Sequence, residues 1–307
     1  MKQKSKVIGV LGAAVLTAGL LPATATASPG GAAAALCGMH VGSVSAGGDH
    51  QSQHVSALST PDVSPINVWG PDLYPDGQTR FSASLLLNTT TTQPATVSGY
   101  QVIGDALYRS RYVRPAPAPP HSIQLDRIGG GWGTFVALDE SRYQSTLNGA
   151  IRTTTYGLRN DGLLFRWTVD SAGVWRNAGS APGFASVKSM ALISKTPTYD
   201  TFLANTRAGA LYTIHIPTSA PMKPVVKAVR GSTWQGFEYL IANKCGSQST
   251  LLIGIDKDTQ SAHMYAVSHA QGTSTVIKSL GKLPATFDQP IYFRWAFYPY
   301  YDQLFGE

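Results

Sequence analysis

Gly130-Gly131-Trp132-Gly133-Thr134-Phe135-Val136-Ala137-Leu138 returns about a hundred residues later as Gly231-Ser232-Thr233-Trp234-Gln235-Gly236-Phe237-Glu238-Tyr239-Leu240, with Trp, Phe and Leu in one register. Phe81, Phe184 and Phe287 extend the series, so aromatic anchors follow one another at steps of 51, 52, 50 and 53 residues. A second motif keeps time with the first. Leu107-Tyr108-Arg109, Leu164-Phe165-Arg166, Leu211-Tyr212-Thr213 and Met264-Tyr265-Ala266 precede the next anchor by 25, 20, 23 and 23 residues. A period near fifty built from short strands implies a β-propeller, because one small sheet cannot bury both of its faces until neighbours stack on it. Five anchors imply five blades.

Strand-like runs rich in β-branched and aromatic residues fall at 101–103, 106–113, 163–169, 210–216, 251–255, 264–267 and 291–298. Turn chemistry separates them: Arg159-Asn160-Asp161-Gly162 is a hairpin signal, and Arg207-Ala208-Gly209 holds the same place one repeat later. With 31 Gly and 19 Pro, no long amphipathic helix competes. Irregular stretches are expected at 28–35, 50–65 and 114–120, the last an exposed polyproline-like loop. The fifth sheet runs out of sequence after 291–298, so a piece of 36–45 or 55–69 is expected to complete it and close the ring, leaving no open strand edge.

Residues 1–27 read as a secretory signal peptide: Lys2, Lys4 and Lys6, an apolar run over 7–21, then Ala23-Thr24-Ala25-Thr26-Ala27. The run is short for a membrane span, and Leu36 before Cys37 does not suit lipidation, so an extracellular protein without membrane anchor is expected. Residues 28–65 then form a partly flexible N-terminal segment and 66–307 the propeller. Loss of the leader lowers the formal net charge from +7 to +4. Without a dense basic run interleaved with aromatics, nucleic acid is not an expected partner.

Cys37 and Cys245 are the two cysteines of the chain. In an oxidising compartment they read as a disulfide, worth on the order of 5 kcal/mol by loop-closure entropy. No cysteine or histidine spacing suits a metal: Asp49, His50 and His54 lie in a Gly- and Gln-rich stretch read as flexible, and Asp256-Lys257-Asp258-Thr259-Gln260-Ser261 offers too few oxygens for calcium. No metal or cofactor is expected.

The stretch 129–138, followed by Gly162-Leu163-Leu164-Phe165 and Gly209-Ala210-Leu211-Tyr212, resembles the repeat of tachylectin-type five-bladed propellers over roughly residues 70–300. That resemblance implies an extracellular role in binding amino sugars near the blade junctions. The chain departs from it in diverged repeats, with Phe for Trp in three of five anchors. Integrin-like secreted propellers share the period, but usually carry the Asp-rich calcium loop that is thin here.

Sugar binding asks for an aromatic face beside planar polar groups. Tyr156 with Arg159, Asn160 and Asp161, and Trp175 with Arg176, supply that mixture, although a hairpin turn and a packing Trp account for the same residues. Of three glutamates, Glu140 and Glu238 are the candidate acids for a glycoside hydrolase or lyase, but no paired carboxylate repeats at a matching place. The expected function is non-catalytic recognition of an amino-sugar-containing glycan or polysaccharide by a monomer. The alternatives are that hydrolase or lyase and a protein-binding scaffold.

Overall fold

The computed structural model describes residues 37–87, 95–114 and 123–307. The signal peptide, the 28–35 stretch and most of the proline-rich loop at 114–120 therefore lie outside the described residues. The strands run in chain order as β1 (Cys37–Val44), β2 (His50–Ala57), β3 (Asp62–Val63), β4 (Asn67–Gly70), β5 (Thr79–Leu87), β6 (Ala95–Ile103), β7 (Ala106–Arg114), β8 (Gln124–Gly130), β9 (Phe135–Tyr143), β10 (Arg152–Arg159) and β11 (Leu164–Val169). There follow β12 (Trp175–Ala181), β13 (Val187–Lys195), β14 (Tyr199–Thr206), β15 (Leu211–Pro217), β16 (Val225–Arg230), β17 (Tyr239–Cys245), β18 (Ser249–Asp256), β19 (Ser261–Val267), β20 (Ile277–Lys282) and β21 (Ile291–Ala296).

These strands make five small antiparallel sheets in a ring, a five-bladed β-propeller. β5 to β8, β9 to β12, β13 to β16 and β17 to β20 are consecutive four-stranded meanders, each starting at the axis. The fifth blade is assembled from both ends of the chain. β21 is innermost, β1 pairs with it antiparallel, β2 pairs with β1, and β3 and β4 both pair with β2. β21 also pairs parallel with β5 through Trp295 with Ser84 and Ala296 with Leu85, so the fifth and first blades are joined by backbone as well as side chains.

β1 at Cys37–Val44 is the piece of 36–45 expected to complete the fifth sheet, and β2 and β3 extend that blade through the rest of the segment read as 28–65. β2 spans the stretch read as flexible around His50 and His54. Its sequence, His-Gln-Ser-Gln-His-Val-Ser-Ala, is too polar to show as a strand, yet His50 is fully buried against Tyr74, Phe293 and Trp295, and its Nδ1 lies 2.7 Å from the Tyr112 hydroxyl. Burial pushes its pKa down to about 3, so it stays neutral.

Apolar side chains gather at the junctions between blades, one cluster to each. Val41, Leu251 and Phe287 lie between the fourth and fifth blades, Leu158, Phe184 and Phe202 between the second and third, and Leu203, Trp234 and Leu252 between the third and fourth. Val44, Tyr74 and Trp295 fill the junction of fifth and first, and Tyr100, Trp132 and Phe135 that of first and second. The Cys37–Cys245 disulfide is formed and ties β1 of the fifth blade to β17 of the fourth.

The anchors owe their period to one repeated backbone bond. The N–H of Trp132 donates to Asp105 O, that of Phe184 to Gly162 O, that of Trp234 to Gly209 O and that of Phe287 to Gln260 O, all at 2.9–3.0 Å. Each bond joins the loop entering one blade to the central hairpin of the blade before it. At the fifth junction Tyr74 N donates to Gly48 O at 3.1 Å. Tyr74, rather than Phe81, is therefore the fifth anchor; Phe81 sits inside β5 opposite Val102. The turn glycines fit this docking. Gly162 has φ +85°, and a Cβ there would stand 2.2 Å from the Ala185 nitrogen, so a side chain would force the two blades apart.

Candidate functional site

Each innermost strand crosses the ring from the hairpin face, where the anchors dock, to the opposite face. The nine residues of β13 span roughly 30 Å on this path at about 3.3 Å per residue. Residues 297–307 lie across that opposite face. Lys195 N donates to Leu304 O, Gly306 N to Ile193 O and Ala270 N to Gly306 O, and Ser194 bridges Phe305, so this tail is stitched to the far end of β13 and the fourth blade.

Along the axis, all five inner strands line a cavity of about 80 Å³ with Ser82, Asp139, Lys188, Ser189, Glu238 and Arg294 among its walls. That is room for a few waters, well below the roughly 300–1,000 Å³ of a small-molecule site. The two candidate acids are ion-paired: Glu140 pairs with Arg142 at 2.6 Å, and Glu238, in the cavity wall, pairs with Lys188 while accepting from Lys257 N at 2.8 Å. Asp139 is the perturbed carboxyl. Burial pushes it up to about 6, opposed by the amides of Glu140 and Leu192 and by the charge of Arg294.

The tail closes the axis with buried charge. Asp302 receives Lys195 Nζ at 2.6 Å and the Arg294 guanidinium, and Lys195 is 1% exposed. Burial pushes the Asp302 carboxyl up, but the two cations outweigh it and hold it below the usual carboxylate range. Burial pulls Lys195 down, partly offset by Asp302.

The six residues expected to hold sugar do not form one site. Tyr156 is fully buried, meets Phe202 edge-on, and donates its hydroxyl to Asp200 Oδ2 at 2.8 Å, an oxygen that also accepts from Arg152, while Ser141 donates to Oδ1 of the same carboxylate. It braces the second blade against the third, and its ring has no open face. Arg159 and Asp161 pair across the exposed β10–β11 hairpin, and Asn160 N donates to Thr134 O. Trp175 and Arg176 lie at the other end of β11, where Trp175 pairs with Val169. The Trp175 ring is half-buried, edge-on to Tyr100 and close to Trp167, while Arg176 reaches Asp170 at 3.5 Å in solvent.

An open aromatic and polar depression does exist, on the tail face, and sequence reasoning passed over it. Its volume is about 380 Å³, and its lining includes Tyr143, Gln144, Lys244, Tyr301, Gln303 and Phe305. Tyr301 is 62% exposed, Phe305 45% and Tyr300 36%, a concentration of large aromatic surface in solvent. Tyr300 and Tyr301 stand edge-to-face at 5.1 Å. Below them, Gln303 Nε2 donates to Gln144 O at 2.8 Å, and Gln144 Nε2 donates to Leu147 O and Gly149 O at 2.9 Å. Both amide donors are spent on backbone, and among the described residues neither Oε1 acceptor has a partner. Both Oε1 atoms are buried, so these amides brace the tail beneath the rings and do not face the depression. The available signal was Phe297-Tyr298-Pro299-Tyr300-Tyr301, an aromatic run outside the fifty-residue register.

The described residues hold no group of three or more histidine, cysteine, aspartate or glutamate side chains placed for a metal, and no helix among them is long and apolar enough to cross a membrane.

No known family pattern and no curated protein matches the sequence. Among solved structures, the chain is similar to an Aleuria aurantia lectin mutant in complex with Fucα1-6GlcNAc, at 15% identity and TM-score 0.45 over 81% of this chain and 79% of that one. It is also similar to the BP39L lectin from Burkholderia pseudomallei, at 16% identity and TM-score 0.44 over 81% and 70% of the two chains. SapL1 lectin in complex with α-methyl fucoside gives 9% identity and TM-score 0.41 over 83% and 99%. At these values the likeness assigns neither a family nor a ligand.

Proposed function

We propose that the chain is a secreted, non-catalytic carbohydrate-binding propeller whose binding surface is the depression on the tail face. The observation that carries this reading is the exposure of Tyr301, Tyr300 and Phe305 around a concave patch that also holds the Lys244 ammonium. A pyranose offers an apolar C–H face and a rim of hydroxyls, and that pairing suits aromatic rings set beside polar groups. Tachylectin-type resemblance of the repeats points to the same ligand class, with amino sugars as first candidates. The disulfide suits an oxidising, extracellular setting. A hydrolase reading has less support, because Glu140 and Glu238 are ion-paired and the axial cavity is too small for a sugar ring.

The test is a glycan array followed by calorimetric titration with the chain lacking residues 1–27. Wild type binds at least one glycan class, and Tyr301→Ala weakens that binding about tenfold, the scale of one aromatic contact. An empty array, or binding untouched by Tyr301→Ala, overturns the assignment. Retention of a culture-supernatant protein that free sugars do not displace turns the surface into a protein-docking one.

A further inference from the structure

The depression is charged as well as aromatic, and in one sense only. Among the described residues that line it, Lys244 is the charged side chain; the others are tyrosines, phenylalanine, glutamines and serine. The charges of Lys195 and Arg294 are paired with Asp302 and buried. Lys244 is different. It stands in solvent at the end of β17, and its Nζ donates a 3.3 Å hydrogen bond to the carbonyl of Tyr301. An ammonium has three donors, so two remain for a guest, and that single bond ties the charge to the backbone of Tyr301, in the same depression as its ring.

We infer that the ligand is an anionic glycan, a polysaccharide whose sugars carry carboxylates, stacked on Tyr301 with one carboxylate on Lys244. This inference rests on the carbohydrate reading of the same site. A neutral sugar can only accept an ion–dipole hydrogen bond from this cation, without the charge–charge attraction a carboxylate adds, and a cationic sugar such as a free glucosamine is repelled by it. A carboxylate attached to a pyranose lies at the ring's edge, where a side chain flanking the stacking aromatic meets it, and the charge-assisted hydrogen bond formed there is stronger than a neutral one. The contact is solvent-exposed, so its contribution is moderate and sensitive to salt.

The probes are an oligogalacturonate hexamer, its carboxyl-reduced neutral counterpart and a chitosan hexamer, titrated into the chain lacking residues 1–27. The acidic hexamer binds three- to tenfold more tightly than the neutral one at low salt, the chitosan hexamer binds most weakly, and the preference narrows at 0.5 M NaCl. Lys244→Gln removes the preference for the acidic hexamer. Lys244 is exposed and outside the core, so the variant folds, and an unchanged thermal midpoint verifies that. Equal affinity for acidic and neutral hexamers, both lost in Tyr301→Ala, sinks the anionic assignment and leaves the carbohydrate reading standing. Binding of neither hexamer, with none of the array glycans retained, sinks both. An acidic preference that persists in Lys244→Gln moves the carboxylate away from this site and overturns the inference as well.

Discussion

The two faces of the wheel are built by different rules. On the hairpin face, five near-identical backbone bonds repeat around the ring, and the large residues that make them, Tyr74, Trp132, Phe184, Trp234 and Phe287, are all at most 7% exposed. On the opposite face a segment outside the repeat lies across the axis, and its Tyr300, Tyr301 and Phe305 are open to solvent. Where every blade must dock on its neighbour, aromatic rings are consumed by packing. A strap that belongs to no blade keeps rings free for a ligand, provided something else holds it down.

The largest expected effect tests that fastening. Asp302→Ala leaves Lys195 and Arg294 without their directly bonded carboxylate, which should cost about 3–5 kcal/mol, seen as a lower urea midpoint and as early hydrogen exchange in 297–307. If exchange of that segment is unaffected, the charge cluster is not what seats it. On the hairpin face, Trp234→Ala empties a junction site that is 5% exposed and should cost about 3–4 kcal/mol, again by chemical denaturation. A loss under 1 kcal/mol would remove the packing role of the anchors.

Between the faces, Asp139 should make stability depend on pH in an unusual direction. Its folded pKa of about 6 lies above the ordinary carboxyl value of 3.8, so the fold favours the protonated form. The contribution of Asp139 is fully present below pH 4 and is lost as pH rises through 6. Asp139→Asn should then be more stable than the parent by up to about 3 kcal/mol at pH 8, with the gap closing below pH 4. Melting curves of both proteins from pH 4 to 8 check this, and a constant gap refutes it. The smallest effect belongs to the tail face: Tyr301→Ala, for all its expected damage to sugar binding, should change stability by less than about 0.5 kcal/mol.

The ring could be read from the sequence because docking imposes the same demand at every junction. Trp132 and Trp234 recur with Phe and Leu three and six residues on, as equivalent strand positions require. Phe81 was misread as an anchor because the step from Tyr74 to Trp132 is 58 residues, longer than the 50–53 of the later steps, so Phe81 matches the period by number while lying inside β5. The binding residues were less legible for a related reason. Strands inside a blade are covered on both faces, so the period-two alternation that marks an exposed side is missing, and Tyr156 beside a polar hairpin looked open when it is fully buried. The tyrosines of 298–301 were visible as residues, but nothing in a repeat indicates what a non-repeating segment does.

The fifth blade places β1 against β21, two strands with some 250 residues between them. Contacts so distant in sequence slow folding, because almost the whole polymer has to emerge and become ordered before that pair can register. Four sheets can begin to form from local hairpins as the chain appears, whereas the last waits for its earliest segment to find its latest. A chain delivered across a membrane unfolded would complete that search at its destination, and the covalent link from Cys37 to Cys245 would then lock the late-forming sheet to its neighbour.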